Sequence, residues 1–331
     1  MTVSAADDGW RYLRSYLAPL ARLLERADVT DLYVNRPAEV WVETLGGAIE
    51  RHDVPALGAN VLERLARQVA SWSHQGINRE HPLLSAALPD GARVQVVAPP
   101  ATRQHLALAI RKHVSANLSL DDYTVMGAFA ATRTDDASDH AAEDEEIAGL
   151  LARNDIGGAL RAAVLARRNI LVSGGTSTGK TTFLNALLNE IPADERLITI
   201  EDTPELRVTH ANAVGLVAVR GALGEAQVSA DDLVSASLRM RPDRIILGEL
   251  RGPEAYAFLR AVNTGHPGSM TTIHADSAES AIDQLVLLIL EGGTRLNRQD
   301  VRDYVSSTIG LFVQLGRRGG RRYVSQVVQR R

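Results

Sequence analysis

The run GGTSTGKTT at 174–182 places glycines, hydroxyls and one lysine in the spacing G-x-x-x-x-G-K-[ST], with Gly174, Gly179, Lys180 and Thr181 at the defined positions. Glycines carry no Cβ, so consecutive backbone N–H groups can curl around phosphate oxygens, and a helix starting at the lysine adds its positive end. The candidate phosphate-binding residues are Gly174, Gly175, Thr176, Ser177, Thr178, Gly179, Lys180, Thr181 and Thr182. Lys180 is expected to reach the β and γ phosphates of ATP, and the Thr181 hydroxyl to ligate Mg²⁺.

Two apolar runs end in acids. RLITIED at 196–202 closes on Glu201 and Asp202, and RIILGE at 244–249 closes on Glu249. Both read as strands expected beside the strand that feeds the loop. In an open parallel sheet the ligand crevice lies outside such strand ends. A carboxylate there can hold Mg²⁺ through water or orient the water that attacks a phosphoryl group. TGHPGSMTTIHA at 264–275 adds His266 and His274. As metal ligands they lack partners, since the chain has no cysteine; as core residues they sit among small and polar neighbours. The residues alone leave their role open.

The elements that must position these groups are legible around them. From 147 an amphipathic helix is expected to reach 166, followed by the strand NILVSG, the glycine turn and the helix TTFLNALLNEI. Helix and strand then alternate through DDLVSASLRM, RIILGEL, PEAYAFLRAV and SMTTIHA, a pattern of parallel strands with crossover helices. The tail IGLFVQL-GRRGGRR-YVSQVV reads as a hairpin with a solvated basic tip. Upstream, leucines and tyrosines between 8 and 27 and the run 61–72 follow helical spacing. DLYVN, EVWVETL, PLLSAAL, ARVQVVAP and HLALAIRKH read as strands separated by turn chemistry. The domain reading is a mixed α+β N-terminal unit over 1–113, a linker over 114–146 and an α/β unit over 147–331. Seven acids and no Lys or Arg between 135 and 146 give that linker the composition of a solvated tether.

Composition bounds the alternatives. The chain has 331 residues, of which 45% are hydrophobic, enough for more than one core. A net charge of −4 and no basic stretch studded with aromatics argue against stable nucleic-acid binding and a nucleic-acid motor. The absence of cysteine excludes a disulfide framework and fits a reducing compartment. The purest apolar run, LVLLIL at 285–290, is far shorter than the ~18 residues of a spanning helix. The start of the sequence lacks the pattern of a secretory signal, so a cytoplasmic location is expected.

Four motifs in order, GGTSTGKT, LITIEDTPEL, RMRPDRIILGELRG and TGHPGSMTTIHA, resemble the secretion (traffic) ATPases of type II and type IV secretion and type IV pilus systems. LPDGARVQVVAPP and LAIRKH look like the N-terminal domain of the type IV secretion branch. The resemblance covers nearly the whole chain. It implies a RecA-like P-loop C-terminal domain, a PAS-like N-terminal domain that caps the nucleotide, and a homo-hexameric ring. It makes Glu249 the residue that activates water, Glu201 a catalytic acid, Asp202 a metal ligand through water, and His274 a sensor of the γ-phosphate region, with His266 more structural. Arg93 and Arg111 match arginines that contact the phosphates, and Arg239 and Arg251 are candidates for phosphate or cross-subunit contacts. Implied partners are inner-membrane channel components and other secretion ATPases, with peripheral association at the membrane. Hydrolysis would rock the N-terminal domain against the C-terminal one. A tight-adherence or type IV pilus assembly ATPase is the nearest alternative, and a nucleotide-dependent scaffold with little hydrolysis is the alternative of another class.

Overall fold

The computed structural model describes residues 5–113, 119–130, 132, 134, 140–219, 221 and 224–330. The N-terminal half opens with α1 (Ala5–Leu24), continues through β1 (Val29–Arg36), β2 (Glu39–Thr44), β3 (Ile49–Asp53) and α2 (Ala59–Trp72), and ends with β4 (Leu83–Ala87), β5 (Arg93–Val97) and β6 (Ala107–Arg111). The strands form one sheet in the order β3-β2-β1-β6-β5-β4, each neighbouring pair antiparallel. Leu13, Leu17 and Leu20 of α1 and Leu62, Leu65, Ala66 and Val69 of α2 recur at helical spacing and are buried against one face of this sheet. Strand alternation then divides the faces. Leu32, Val34, Leu108 and Ile110 join the helices, whereas Tyr33, Ala107 and Ala109 turn to a core shared with the C-terminal half. Strand β3 is an unexpected edge strand, because IERHD has no apolar alternation to reveal it.

The C-terminal half contains α3 (Leu120–Val125), α4 (Ala141–Ala152), α5 (Ile156–Leu165), β7 (Ile170–Gly174), α6 (Lys180–Leu188), β8 (Leu197–Glu201), β9 (Ala213–Val217), α7 (Ala230–Ser237), β10 (Arg244–Leu247), α8 (Glu254–Asn263), β11 (Met270–Ile273), α9 (Ala278–Glu291), α10 (Arg298–Thr308), β12 (Leu311–Arg318) and β13 (Arg321–Gln329). The sheet order is β13-β12-β7-β11-β10-β8-β9, parallel throughout except for the antiparallel β12–β13 pair. Both faces are covered. Ile170, Val172, Ile246 and Met270 pack with α5 and α6, while Leu171, Ile245, Leu247 and Ile273 pack with α7, α8 and α9. This is the expected α/β, RecA-like organisation behind a glycine loop.

Three expectations are corrected. The acidic strands do not flank the loop strand: β7 lies between β11 and β12, with β10 and β8 further along. The histidine strand therefore stands between Lys180 and Glu249. The helix expected over 147–166 is two helices, broken where Asn154 takes a φ of 60° and the Asp155 side chain caps α5 by accepting from Gly158 N–H at 2.9 Å. Finally, α4 starts inside the acidic stretch, and Asp144 pairs with Arg168 at 3.0 Å and accepts from Gln329. Composition alone could not distinguish solvated acids from acids favoured at a helix N-terminus. Residues 135–139 of that stretch lie outside the described residues.

The two halves are sealed together at the β8–β9 edge. Arg196, just before β8, is buried with its guanidinium 4.1 Å above the ring centroid of Tyr33. It donates to Met240 O and Asn35 Oδ1, both at 2.9 Å, and to Asn212. Burial lowers its pKa to about 10 and raises that of Tyr33. Thr102 bridges to Leu216, and Arg103 N–H donates to Gly215 O at 3.0 Å, so the segment after β5 covers the exposed edge of β9. Gly215 has no side chain because one would collide with Arg103.

Candidate active site

Strand β7 delivers Gly174 to the mouth of the sheet, and the chain turns through 175–179 into α6. Gly179 caps α6 with φ +92°, a left-handed conformation that costs a Cβ-bearing residue about 1–2 kcal/mol. The Thr178 hydroxyl donates to Gly175 O at 2.8 Å and braces the turn. Phe183 N–H is bonded to Gly179 O at 2.9 Å, so the N–H groups of Lys180, Thr181 and Thr182 precede the helical ladder. Unpaired N–H groups at a helix start suit an anion.

Lys180 Nζ lies 3.2 Å from Gly174 O, 3.2 Å from His274 Nε2 and 3.7 Å from Glu249 Oε1. Burial lowers the lysine pKa, with Glu249 acting in the opposite direction. His274 Nε2 is 2.8 Å from Glu249 Oε1. The parallel register of β10 with β11, Leu247 opposite Thr271, brings the two residues beyond those strands to neighbouring positions. Arg251 Nε donates to Glu249 Oε2 at 2.5 Å, and Nη1 lies 3.8 Å from Asp202. Glu249 Oε1 is buried and close to two nitrogens, yet no well-aligned hydrogen bond reaches it. An acceptor in that condition has capacity left for a water. Lys180, His274, Glu249, Arg251 and Asp202 line a cleft of about 460 Å³, together with Thr176, Ser177, Thr178, Gly179, Thr181, Thr182 and Glu201.

Glu201 is brought to the cleft but spends both oxygens elsewhere. It accepts from Glu205 N–H at 2.8 Å and Leu206 N–H at 2.7 Å, and pairs with Arg103. In this arrangement it fixes the loop after β8 to the segment arriving from the N-terminal half. Arg93 and Arg111, expected at the phosphates, lie apart from the cleft within one chain. They are Cα partners across β5 and β6, and they line a separate depression with Arg239, not the cleft of their own chain. Arg111 Nε is 3.3 Å from Asp31. His266 stays outside the cleft. Its Nδ1 is 3.0 Å from Ala261 O at the end of α8, and burial lowers its pKa.

Sequence reasoning missed Arg322, which lines the cleft from β13. The hairpin was legible, but its seat was not: β12 runs parallel to β7 with Leu315 opposite Gly174. Everything past Leu315 therefore overhangs the loop. The apolar run LFVQL, written as a buried strand would be, was the available signal.

The chain is similar to known proteins in sequence and in fold. The family model for "Type II/IV secretion system protein" matches residues 14–298. The "Type IV secretion system protein VirB11" of Bartonella henselae is 39% identical over 335 residues, covering 97% of this chain and 94% of the relative. The VirB11 protein of Brucella suis biovar 1 is 39% identical over 306 residues, covering 91% and 84%. Bordetella pertussis PtlH is 38% identical over 326 residues, covering 96% and 94%. The crystal structure of the VirB11 ATPase from the Brucella suis type IV secretion system, in complex with sulphate, superposes with a TM-score of 0.91 at 36% identity, covering 98% of this chain and 96% of that one. Sequence, fold and coverage agree, and the chain belongs to the type II/IV secretion system protein family, in its type IV secretion ATPase branch.

Proposed function

We propose that this chain hydrolyses ATP with Mg²⁺ as a subunit of a homo-hexameric motor at the cytoplasmic face of the inner membrane. There it powers substrate translocation or pilus assembly in a type IV, conjugation-like secretion system. The observation that carries the reading is the convergence of Lys180, His274 and Glu249 within 2.8–3.7 Å of one another beside the phosphate loop. Its partners would be inner-membrane channel components and the other ATPases of the system. Among the described residues no helix is long and apolar enough to cross a membrane, which is compatible with peripheral association.

Each side chain has a task in that reaction. Lys180 and the N–H groups of Thr181 and Thr182 hold the phosphates. Glu249 orients and polarises the attacking water through the oxygen that lacks a well-aligned partner. His274, between the lysine and the carboxylate, contacts the terminal phosphate. The Thr181 hydroxyl and the Asp202 carboxylate are oxygen donors suited to Mg²⁺, Asp202 acting through water. When bound, Mg²⁺ neutralises phosphate charge.

Arg93 and Arg111 line a depression apart from their own cleft, which supports a place for them at the cleft of an adjacent protomer. The contact of Arg196 with Tyr33 joins the halves of one chain in this arrangement, and hydrolysis would rock the N-terminal half against the C-terminal one within the ring, loosening or re-forming that contact. The bonds of Asp144 to Arg168 and Gln329 support drawing the start of the ATPase unit near 140 and its N-terminal partner to 113. The test is phosphate release by the wild type, Lys180→Ala and Glu249→Gln. Both variants should be inactive, and Glu249→Gln should retain nucleotide binding. Wild-type turnover by Glu249→Gln overturns the assignment.

A further inference from the structure

We propose that Arg322, carried by the β12–β13 hairpin, binds the α and β phosphates of the nucleotide from the flank of the loop opposite Glu249 and His274. The proposal rests on the nucleotide reading above and adds a grip to it.

The register sets the reach. Leu315 is the last residue of β12 paired to β7, opposite Gly174, where β7 turns into the phosphate loop. The hairpin continues to Arg318 and returns at Arg321, with Arg317 opposite Arg322, so these residues extend beyond the sheet over the loop. Arg322 alone of these arginines lines the cleft. A methyl group built on Gly179 would stand 3.0 Å from Arg322 Cδ and 3.4 Å from Nη1. The left-handed backbone is what requires glycine at 179, and the open space above it is where the Arg322 side chain lies.

The chemistry sets the ligand. Among the described residues Arg322 forms no ion pair and no hydrogen bond, whereas Lys180 and Arg251 in the same cleft are engaged with Glu249. A guanidinium has five N–H donors in a planar fork that matches phosphate oxygens, and Arg322 presents all of them unused beside a helix start. The sheet order sets the side. β12 lies on one flank of β7, and β11 and β10, which carry His274 and Glu249, lie on the other. The reacting terminal phosphate belongs with Glu249, which leaves Arg322 the inner phosphates next to Gly179.

The experiment is titration of fluorescent ADP and a non-hydrolysable ATP analogue, each with Mg²⁺, onto the full chain. Arg322→Ala should weaken both ligands equally, on the order of tenfold, the effect of losing a charged hydrogen bond. Arg322→Lys, which keeps the charge without the fork, should recover part of the loss, and Arg318→Ala at the hairpin tip should bind as wild type. Arg322 is exposed and unbonded, so its variants should melt with the parent. Unchanged affinity in Arg322→Ala overturns the proposal. So does a loss confined to the ATP analogue, which would move the contact to the γ-phosphate, or an equal loss in Arg318→Ala, which would make it a general field of the hairpin. Lys180→Ala is the separate control: wild-type binding by that variant would sink the nucleotide reading itself.

Discussion

His274 Nε2 stands 2.8 Å from Glu249 Oε1, and Lys180 Nζ stands 3.2 Å from the same imidazole nitrogen, so the imidazole lies against both the phosphate-loop cation and the carboxylate. This placement follows from the sheet order, in which β11 separates β7 from β10. His274→Ala should lower kcat by about 10–100-fold, the worth of one charged hydrogen bond, with nucleotide affinity largely retained. Steady-state hydrolysis beside equilibrium binding checks this; lost binding with an unchanged kcat would make His274 a ground-state contact only.

Arg93 and Arg111 lead to a mixing experiment. Lys180→Ala lacks the phosphate cation and keeps both arginines, whereas the double variant Arg93→Ala, Arg111→Ala keeps the loop. Each should be inactive alone. In a ring with head-to-tail interfaces, a one-to-one mixture places an intact loop beside intact arginines at about a quarter of the junctions. Hydrolysis should return to about that fraction of wild type if junctions act independently. A mixture as inactive as its parts would show that the arginines do not act in trans.

Arg196 has its guanidinium fully enclosed between Tyr33 and three hydrogen-bond acceptors. Arg196→Ala removes the stack and takes the donor from Met240 O and Asn35 Oδ1, while Asn212 Oδ1 keeps Asn35 Nδ2 at 2.9 Å, and should cost about 3 kcal/mol. Denaturant unfolding should show a lower midpoint and, with the seal gone, separate transitions for the two halves. A variant as stable as the wild type would mean that the apolar contacts of Val97, Ala101, Ala107 and Ala109 hold the halves by themselves.

His266 supplies a pH dependence of stability. Burial depresses its pKa below the ordinary value of 6.5, so the unfolded chain binds the proton more readily than the folded one. The contribution of His266 is therefore fully present above pH 6.5 and is lost as pH falls from there through the depressed folded value. His266→Asn should flatten that part of the profile. Unfolding free energies of both proteins from pH 7.5 to 5, measured with salt held constant, test it; parallel profiles would assign the acid sensitivity to other groups.

The sequence by itself determined what depends on short-range covalent order. The phosphate loop, the acid after LITI and after RIILG, and the alternation of buried strands with amphipathic helices are all written within a few residues. Glu249 could be placed near Lys180 because a parallel sheet brings strand ends to one edge wherever they lie in the chain, whereas His274 was joined to them only through the family resemblance. Only the tertiary structure decided which strands are neighbours, since apolar strands of similar length carry no local mark of their pairing. That pairing put β11 beside β7, turned Glu201 into a partner of Arg103, moved Arg93 and Arg111 to another face, and swung Arg322 over Gly179. Each of these results joins residues tens to more than a hundred positions apart, and long-range packing, rather than local spacing, selects them.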